Sequence, residues 1–497
     1  MSGAATLYRK GNFNRYAWGN KVDFADKTEP LESLSALEIS SRHRRRYVLL
    51  ITGLGSFMTA LDSAATFLVL PLVQQDLATS VAAVQWIALA YLLAVSGLLL
   101  PFGRLGDFWG LRRVYLAGIS VFSLSSALCA LSPAIGYLII FRVVEAVGGA
   151  MTISTVPALL TQSYPPEQRG HVLGLQLTMT YVGLTLGPFV GGFVAGWWSW
   201  RGVFWINAFV GFPLLLFAFR TLPGVTGSFR GRFDFSGAVV LILAVLLSMV
   251  GVTGAGGLNV VPSGKALLRA AAVIAGLLLG VVFVLREKKL DQSRIQPLLS
   301  PALFGSKPFS LSAGIALVGY TCEFFLVFLM PFYLIRIVGM SPSQAGLLFM
   351  VKAIVMMVVA PLAGGLSDRR GPRSLSVAGM LAYAGAFVFQ SRLSEAAGLA
   401  EVTLTLMLSG LAAGLFVSPN NSAMIGAAPS EMRGAASAMV GLVRNFGMVF
   451  GTAFSGALLA LRPDSLLSGF QLAMGTGALI ALAGLVLGAL QPAEADG

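Results

Sequence analysis

Six ionisable residues stand inside apolar stretches of the chain: the acids Asp62, Glu145 and Glu323, and the bases Arg142, Lys352 and Arg444. A charge at the centre of a lipid-facing helix costs about 2.5–3.5 kcal/mol on insertion scales, so six of them would cost about 15–21 kcal/mol. They must face one another or a polar cavity. Acids and bases in such surroundings suit the holding and passing of protons or ions. Bond-breaking chemistry finds no support, because the two histidines, His43 and His171, sit in no Ser, His and acid constellation. Cys129 and Cys322 are isolated thiols, so neither a disulfide framework nor a metal site is expected. No G-x-x-x-x-G-K loop is present to hold a nucleotide, which excludes ATP-driven transport. An enzyme is not expected, nor any cofactor beyond the proton motive force.

Asp62 shares helical spacing with Ser56, Thr59 and Thr66, making one polar stripe on an apolar helix. Glu323 lies 261 residues further on; Asp62 precedes Pro71 by nine residues and Glu323 precedes Pro331 by eight. The two carboxylates are expected to be pseudo-symmetric partners facing each other across a central cavity, against the plainer reading that each bonds a neighbouring helix. In general a carboxylate in low dielectric holds a proton more readily than in water, so proton and substrate can compete for it. Arg142 and Glu145 share a face with Gly149 and Thr152, so Arg142 either tunes Asp62 or Glu145 or forms an internal pair. Lys352 can pair with Glu323, which would weaken a proton role for that acid, or favour an anionic or zwitterionic substrate. Thr59, Thr66, Lys352, Asn420, Asn421 and Arg444 are candidate cavity residues.

The elements that must carry these residues can be read from composition. Of 497 residues, 56% are hydrophobic and 11% charged, against roughly 25% charge in soluble proteins, with a mean hydropathy of +0.81. A hydrocarbon core about 30 Å thick needs about 20 apolar helical residues, and fourteen such runs occur, the first at 47–73 and the last at 470–490. Strand-like alternation is absent, which argues against a barrel. The net charge of +13 is explained by orientation. With a cytoplasmic N-terminus, 25 Lys and Arg fall in inner segments and 6 in outer loops, placing both termini in the cytoplasm. A nucleic-acid partner is not needed.

One pattern, G-x-L-x-D-x-x-G-x-R, occurs twice: at Gly103, Asp107, Gly110 and Arg112, and at Gly364, Asp368, Gly371 and Arg373. Its offset is again 261 residues and both copies fall in inward loops, as duplicated halves require. The Arg can bond facing helix ends or headgroups. The expected organisation is a basic tail (1–46), a six-helix bundle (47–220), an inserted helix pair with a cytoplasmic loop (221–307), a second six-helix bundle (308–490) and a short tail (491–497).

This all-α polytopic arrangement resembles the major facilitator superfamily, and the count of fourteen resembles its drug:proton antiporter branch, the EmrB/QacA type. The resemblance implies that Asp107 and Arg112 latch a cytoplasmic gate. Leu61-Asp62-Ser63 is similar to the branch's helix 1 acidic motif, although Ala64-Ala65-Thr66 departs from the usual continuation. The stretch from Arg142 to Ala150 looks like the helix 4 motif, whose Arg is tied to proton transfer, with Glu145 where Gln is common. Gly183, Gly187, Pro188, Gly191 and Gly192 match the helix 5 antiporter signature unbroken, which favours export over uptake. Arg444-Asn445-Phe446-Gly447 resembles a recurrent helix 13 segment, whereas Lys352 stands where the family's helix 10 segment is normally apolar.

The expected function is proton-coupled export of drug-like amphiphiles from a bacterial inner (plasma) membrane by alternating access, with lipid, protons and substrate as partners. A monomer is expected, and a periplasmic adaptor is left open. The alternatives are a proton-coupled transporter of a defined metabolite or organic anion, and a lipid-handling membrane protein.

Overall fold

The computed structural model describes residues 31–222, 235–253, 266–290, 301–429, 432–462 and 464–491. The chain divides into two units, Met1–Arg45 and Arg46–Gly497, and the second carries every candidate residue named above except His43.

Fourteen α-helices account for nearly all described residues: α1 (Leu31–Asp76), α2 (Val81–Trp109), α3 (Leu111–Ala130), α4 (Ile135–Ser163), α5 (Pro166–Trp197), α6 (Arg201–Thr221), α7 (Phe235–Thr253), α8 (Ala266–Leu290), α9 (Lys307–Phe332), α10 (Pro342–Arg370), α11 (Pro372–Gln390), α12 (Leu399–Gly426), α13 (Arg433–Ala460) and α14 (Leu466–Ala489). A five-residue π-helical segment, Tyr333–Ile337, extends α9. Each apolar run of the sequence corresponds to one helix. Among the described residues, twelve helices are long and apolar enough to cross a membrane, against the fourteen apolar runs of the sequence. In α7 the described apolar stretch is only Val239–Ser248, and in α11 the polar ends Arg373 and Gln390 dilute a 19-residue helix.

Helices α2, α3, α4 and α6 pack together, as do α9 to α14, while α7 lies on α8 and touches α2 and α13. The two groups meet where α5 packs on α10 and α2 on α13. Close seating of α5 on α1 depends on small residues. A Cβ on Gly183 would come 2.5 Å from the Phe57 carbonyl oxygen, and one on Gly187 would come 2.6 Å from Ala64 Cβ. These contacts bracket Asp62, so the glycine pattern fixes the helix that carries the acid.

The repeated motif is mostly helical rather than a loop, since α2 runs through Trp109 and α10 through Arg370. The turn is made by a single glycine in each copy, Gly110 at φ 94° and Gly371 at φ 77°. A side chain at such φ is strained, which is why the motif needs glycine there. Each motif arginine then reaches the last turn of its own group's final helix: Arg112 donates to the Phe219 carbonyl at 2.5 Å, and Arg373 to that of Ala489 at 2.6 Å. Both cap exposed helix C-termini, where carbonyls lack partners and positive charge is favoured. Asp107 lies 3.8 Å from Arg104; the side chain of Asp368 is outside the described residues.

Candidate functional site

Arg142 is the largest fully buried side chain and the centre of the first cluster. Its Nη1 donates to Asp62 Oδ2 and to Glu145 Oε2, each at 2.7 Å. Asp62 Oδ1 accepts from Asn207 Nδ2 at 2.7 Å, and Glu145 accepts from the Ser126 hydroxyl and from Cys129 Sγ. The guanidinium lies over the Tyr91 ring at 4.2 Å and near Phe204 at 5.6 Å, a cation–π arrangement strongest when desolvated. Helices α1, α3, α4 and α6 thus converge, with Tyr91 of α2, on two carboxylates and one base, all three with at most 1% exposure. Breaking a buried ion pair by removing one partner leaves an uncompensated charge, which costs about 3–5 kcal/mol.

The second feature is a cavity of about 190 Å³ between the two helix groups. Glu323 and Lys352 line it and form an ion pair, and the Tyr383 hydroxyl donates to the other Glu323 oxygen at 2.8 Å. Thr59, Arg444 and Pro188 also line it. Asp62 does not, which corrects the expectation that Asp62 and Glu323 face each other across open space. Both Asp62 oxygens are taken by Arg142 and Asn207. Tyr91 lines the cavity and also packs against the Arg142 guanidinium, so it stands between cavity and cluster. Thr66, Asn420 and Asn421 are also outside the lining. Asn420 bonds the Ser312 carbonyl, while Asn421 accepts from Tyr320, itself a lining residue.

Hydrogen bonds and close contacts between the two groups gather at the end where α1 turns into α2. There Arg336 donates to Gln74 at 3.2 Å and Gln85 donates to the carbonyls of Thr452 and Ala453. Gly192 backs onto Pro342 and Gly346, where a Cβ would meet the Pro342 oxygen at 2.3 Å. Asp76 ties α1 to α6 through Trp200 and Arg201. At the opposite end the motif arginines bond within their own group.

Asn207, Tyr91, Tyr383 and Gln85 escaped the reading of the sequence. A lone Asn or Gln within an apolar run is a weak signal, and a Tyr there reads as core.

The family model described as Major Facilitator Superfamily matches residues 52–306 and 311–495. The chain belongs to that superfamily. It is therefore a multi-pass membrane transporter of a small molecule. It is 33% identical to the uncharacterized transporter YebQ of Escherichia coli, over 84% of this chain and 89% of that one. It is 32% identical to the tetracenomycin C resistance and export protein of Streptomyces glaucescens, over 83% and 76%. A riboflavin transporter, RibZ of Clostridioides difficile, is 28% identical over 83% and 88%. Among solved structures, a bacterial homologue of the lysosomal transporter Spinster, inward-facing and unoccupied, aligns with TM-score 0.63 and 19% identity over 90% of this chain and 97% of that one.

Proposed function

We propose that this transporter is a proton-coupled exporter of amphiphilic small molecules, of the fourteen-helix drug:proton antiporter branch, with its termini and its α2–α3 end in the cytoplasm. The observation that carries the proposal is the sealed Asp62–Arg142–Glu145 cluster, with Tyr91 between it and the cavity. Two carboxylates against one guanidinium leave one negative charge, which a single proton balances. A buried site tolerates such a charge poorly, so gain or loss of that proton is the natural partner of a change in cavity access. Asp62 and Glu145 then hold the coupling proton, Arg142 orients both, and Tyr91 relays the state of the cavity.

Transport then proceeds by rocking of the two helix groups about the cavity. The Gln74–Arg336 and α5–α10 contacts close the outer end, and the motif arginines stiffen the inner helix ends. An inward proton supplies about 2.3 kcal/mol per 100 mV, enough to concentrate a neutral substrate outward by well over tenfold. Export is favoured by the α5 glycine pattern and by relatives named for resistance and export. In everted vesicles energised to be acidic and positive inside, the wild-type protein is expected to accumulate a fluorescent amphiphile until a protonophore collapses the proton motive force. Accumulation unaffected by the protonophore would contradict proton coupling.

A further inference from the structure

Three charged side chains line the cavity among the described residues: Glu323, Lys352 and Arg444. They are not equivalent. Both oxygens of Glu323 are engaged, one by Lys352 and one by Tyr383, so that acid and its lysine cancel. Arg444 has no hydrogen bond or ion pair among the described residues, though it sits only partly exposed in the wall of an apolar chamber. The cavity thus carries one uncompensated positive charge. A guanidinium offers five donors in a planar fork matched to a carboxylate or a similar oxyanion.

The surroundings of Arg444 add a second constraint. Gly447, one turn along α13, backs onto α9 so closely that a Cβ there would lie 2.5 Å from Tyr320 Cβ. Tyr320 and Tyr181 line the same chamber, and Tyr320 lies within electrostatic reach of both Tyr181 and Arg444. Tyr320 points its hydroxyl at Asn421, at 3.2 Å. The rest of the wall is mainly apolar, including Leu92, Ile153, Met356 and Met448, with hydroxyls and amides such as Thr59, Gln176 and Asn445 set into it. One unpaired cation, three phenol rings counting Tyr91, and a mainly apolar wall are the recognition elements of a flat, singly charged acid.

We propose that the cavity selects amphiphilic organic monoanions, a carboxylate or acidic phenol on a planar aromatic body, and that Arg444 holds the anionic group. The proposal rests on the transporter reading of the cavity but not on proton coupling, so a binding experiment separates the two. Three probes of similar size suffice: 2-naphthoate, 2-naphthylmethanol and 2-naphthylmethylammonium, titrated calorimetrically into the full-length protein in detergent. The naphthoate is expected to bind at least about tenfold more tightly than the ammonium, the scale of one charge-assisted contact. Arg444→Gln is expected to remove that preference while leaving the affinity for the alcohol unchanged, and Arg444→Lys to keep part of it. Titration of each probe into protein-free micelles gives the partition to be subtracted, and a wild-type thermal unfolding midpoint shows that the variants are folded. Equal binding of naphthoate and ammonium to the wild type, an unaltered preference in Arg444→Gln, or no naphthoate binding at all would each overturn the proposal. Gradient-driven accumulation in vesicles would stand or fall separately.

Discussion

At the scale of single residues, five of the six membrane charges sit in two differently built sets, and Arg444 stands apart from both. Arg142 serves two acids and is sealed, whereas Lys352 serves one and borders the cavity. The Glu323–Lys352 pair invites a double-mutant cycle. If its role is structural, Glu323→Gln and Lys352→Met should each lower the unfolding midpoint in detergent, and the double variant should be milder than the sum, with a coupling of about 0.5–3 kcal/mol. If Glu323 carries a proton, the double variant should abolish coupling as completely as Glu323→Gln alone. The presence of these charges was legible because a charge in an apolar run needs an explanation. Their partners were only partly so. Arg142 and Glu145 lie one turn apart on one helix, and the possible link from Lys352 to Glu323 follows from neighbouring spans. The Asn207 bond to Asp62 crosses 145 residues of chain and depends on how α6 is rotated, which no local pattern encodes.

At the scale of elements, the repeated motif is a helix end, a glycine turn and a clamp. Gly110→Ala and Gly371→Ala place a Cβ at positive φ and should each destabilise by about 1–2 kcal/mol, measured by thermal unfolding in detergent. Asn should be no better tolerated than Ala, because φ/ψ of 94°/128° and 77°/153° lie outside the left-handed helical region that Asn enters. On α5 the constraint is contact rather than dihedral angle. Gly187→Val would drive side-chain atoms into Ala64 and the Leu61 carbonyl, displacing the turn that carries Asp62. It should therefore abolish coupled transport while surface abundance of the protein stays measurable. Both glycine patterns and the repeated motif were legible in the sequence. The motif's place was not: Asp and Gly near Arg read as loop residues, even where the helix continues to its final glycine. Among the described residues α11 and the described part of α7 are not among the twelve helices long and apolar enough to cross a membrane, so the count of fourteen spans belongs to the proposed function.

At the scale of the whole molecule, alternating access requires the α1–α2 end to part and close. Gly196 and Ser343 face each other there across the α5–α10 contact, and a Cβ on Gly196 would stand 3.5 Å from Ser343 Cβ, inside the range for a disulfide. In the double variant Gly196→Cys with Ser343→Cys, oxidation should arrest transport and a reductant should restore it. Transport unaffected by a cross-link formed in full would mean that this end does not open. The central claim, however, is that the coupling proton resides in the Asp62–Arg142–Glu145 cluster. Its most direct test is the dequenching of acridine orange when substrate is added to respiring everted vesicles. The wild type is expected to release protons on substrate addition, while Asp62→Asn, delivered to the membrane in equal amount, is expected to release none; dequenching at the wild-type rate in Asp62→Asn would contradict the claim.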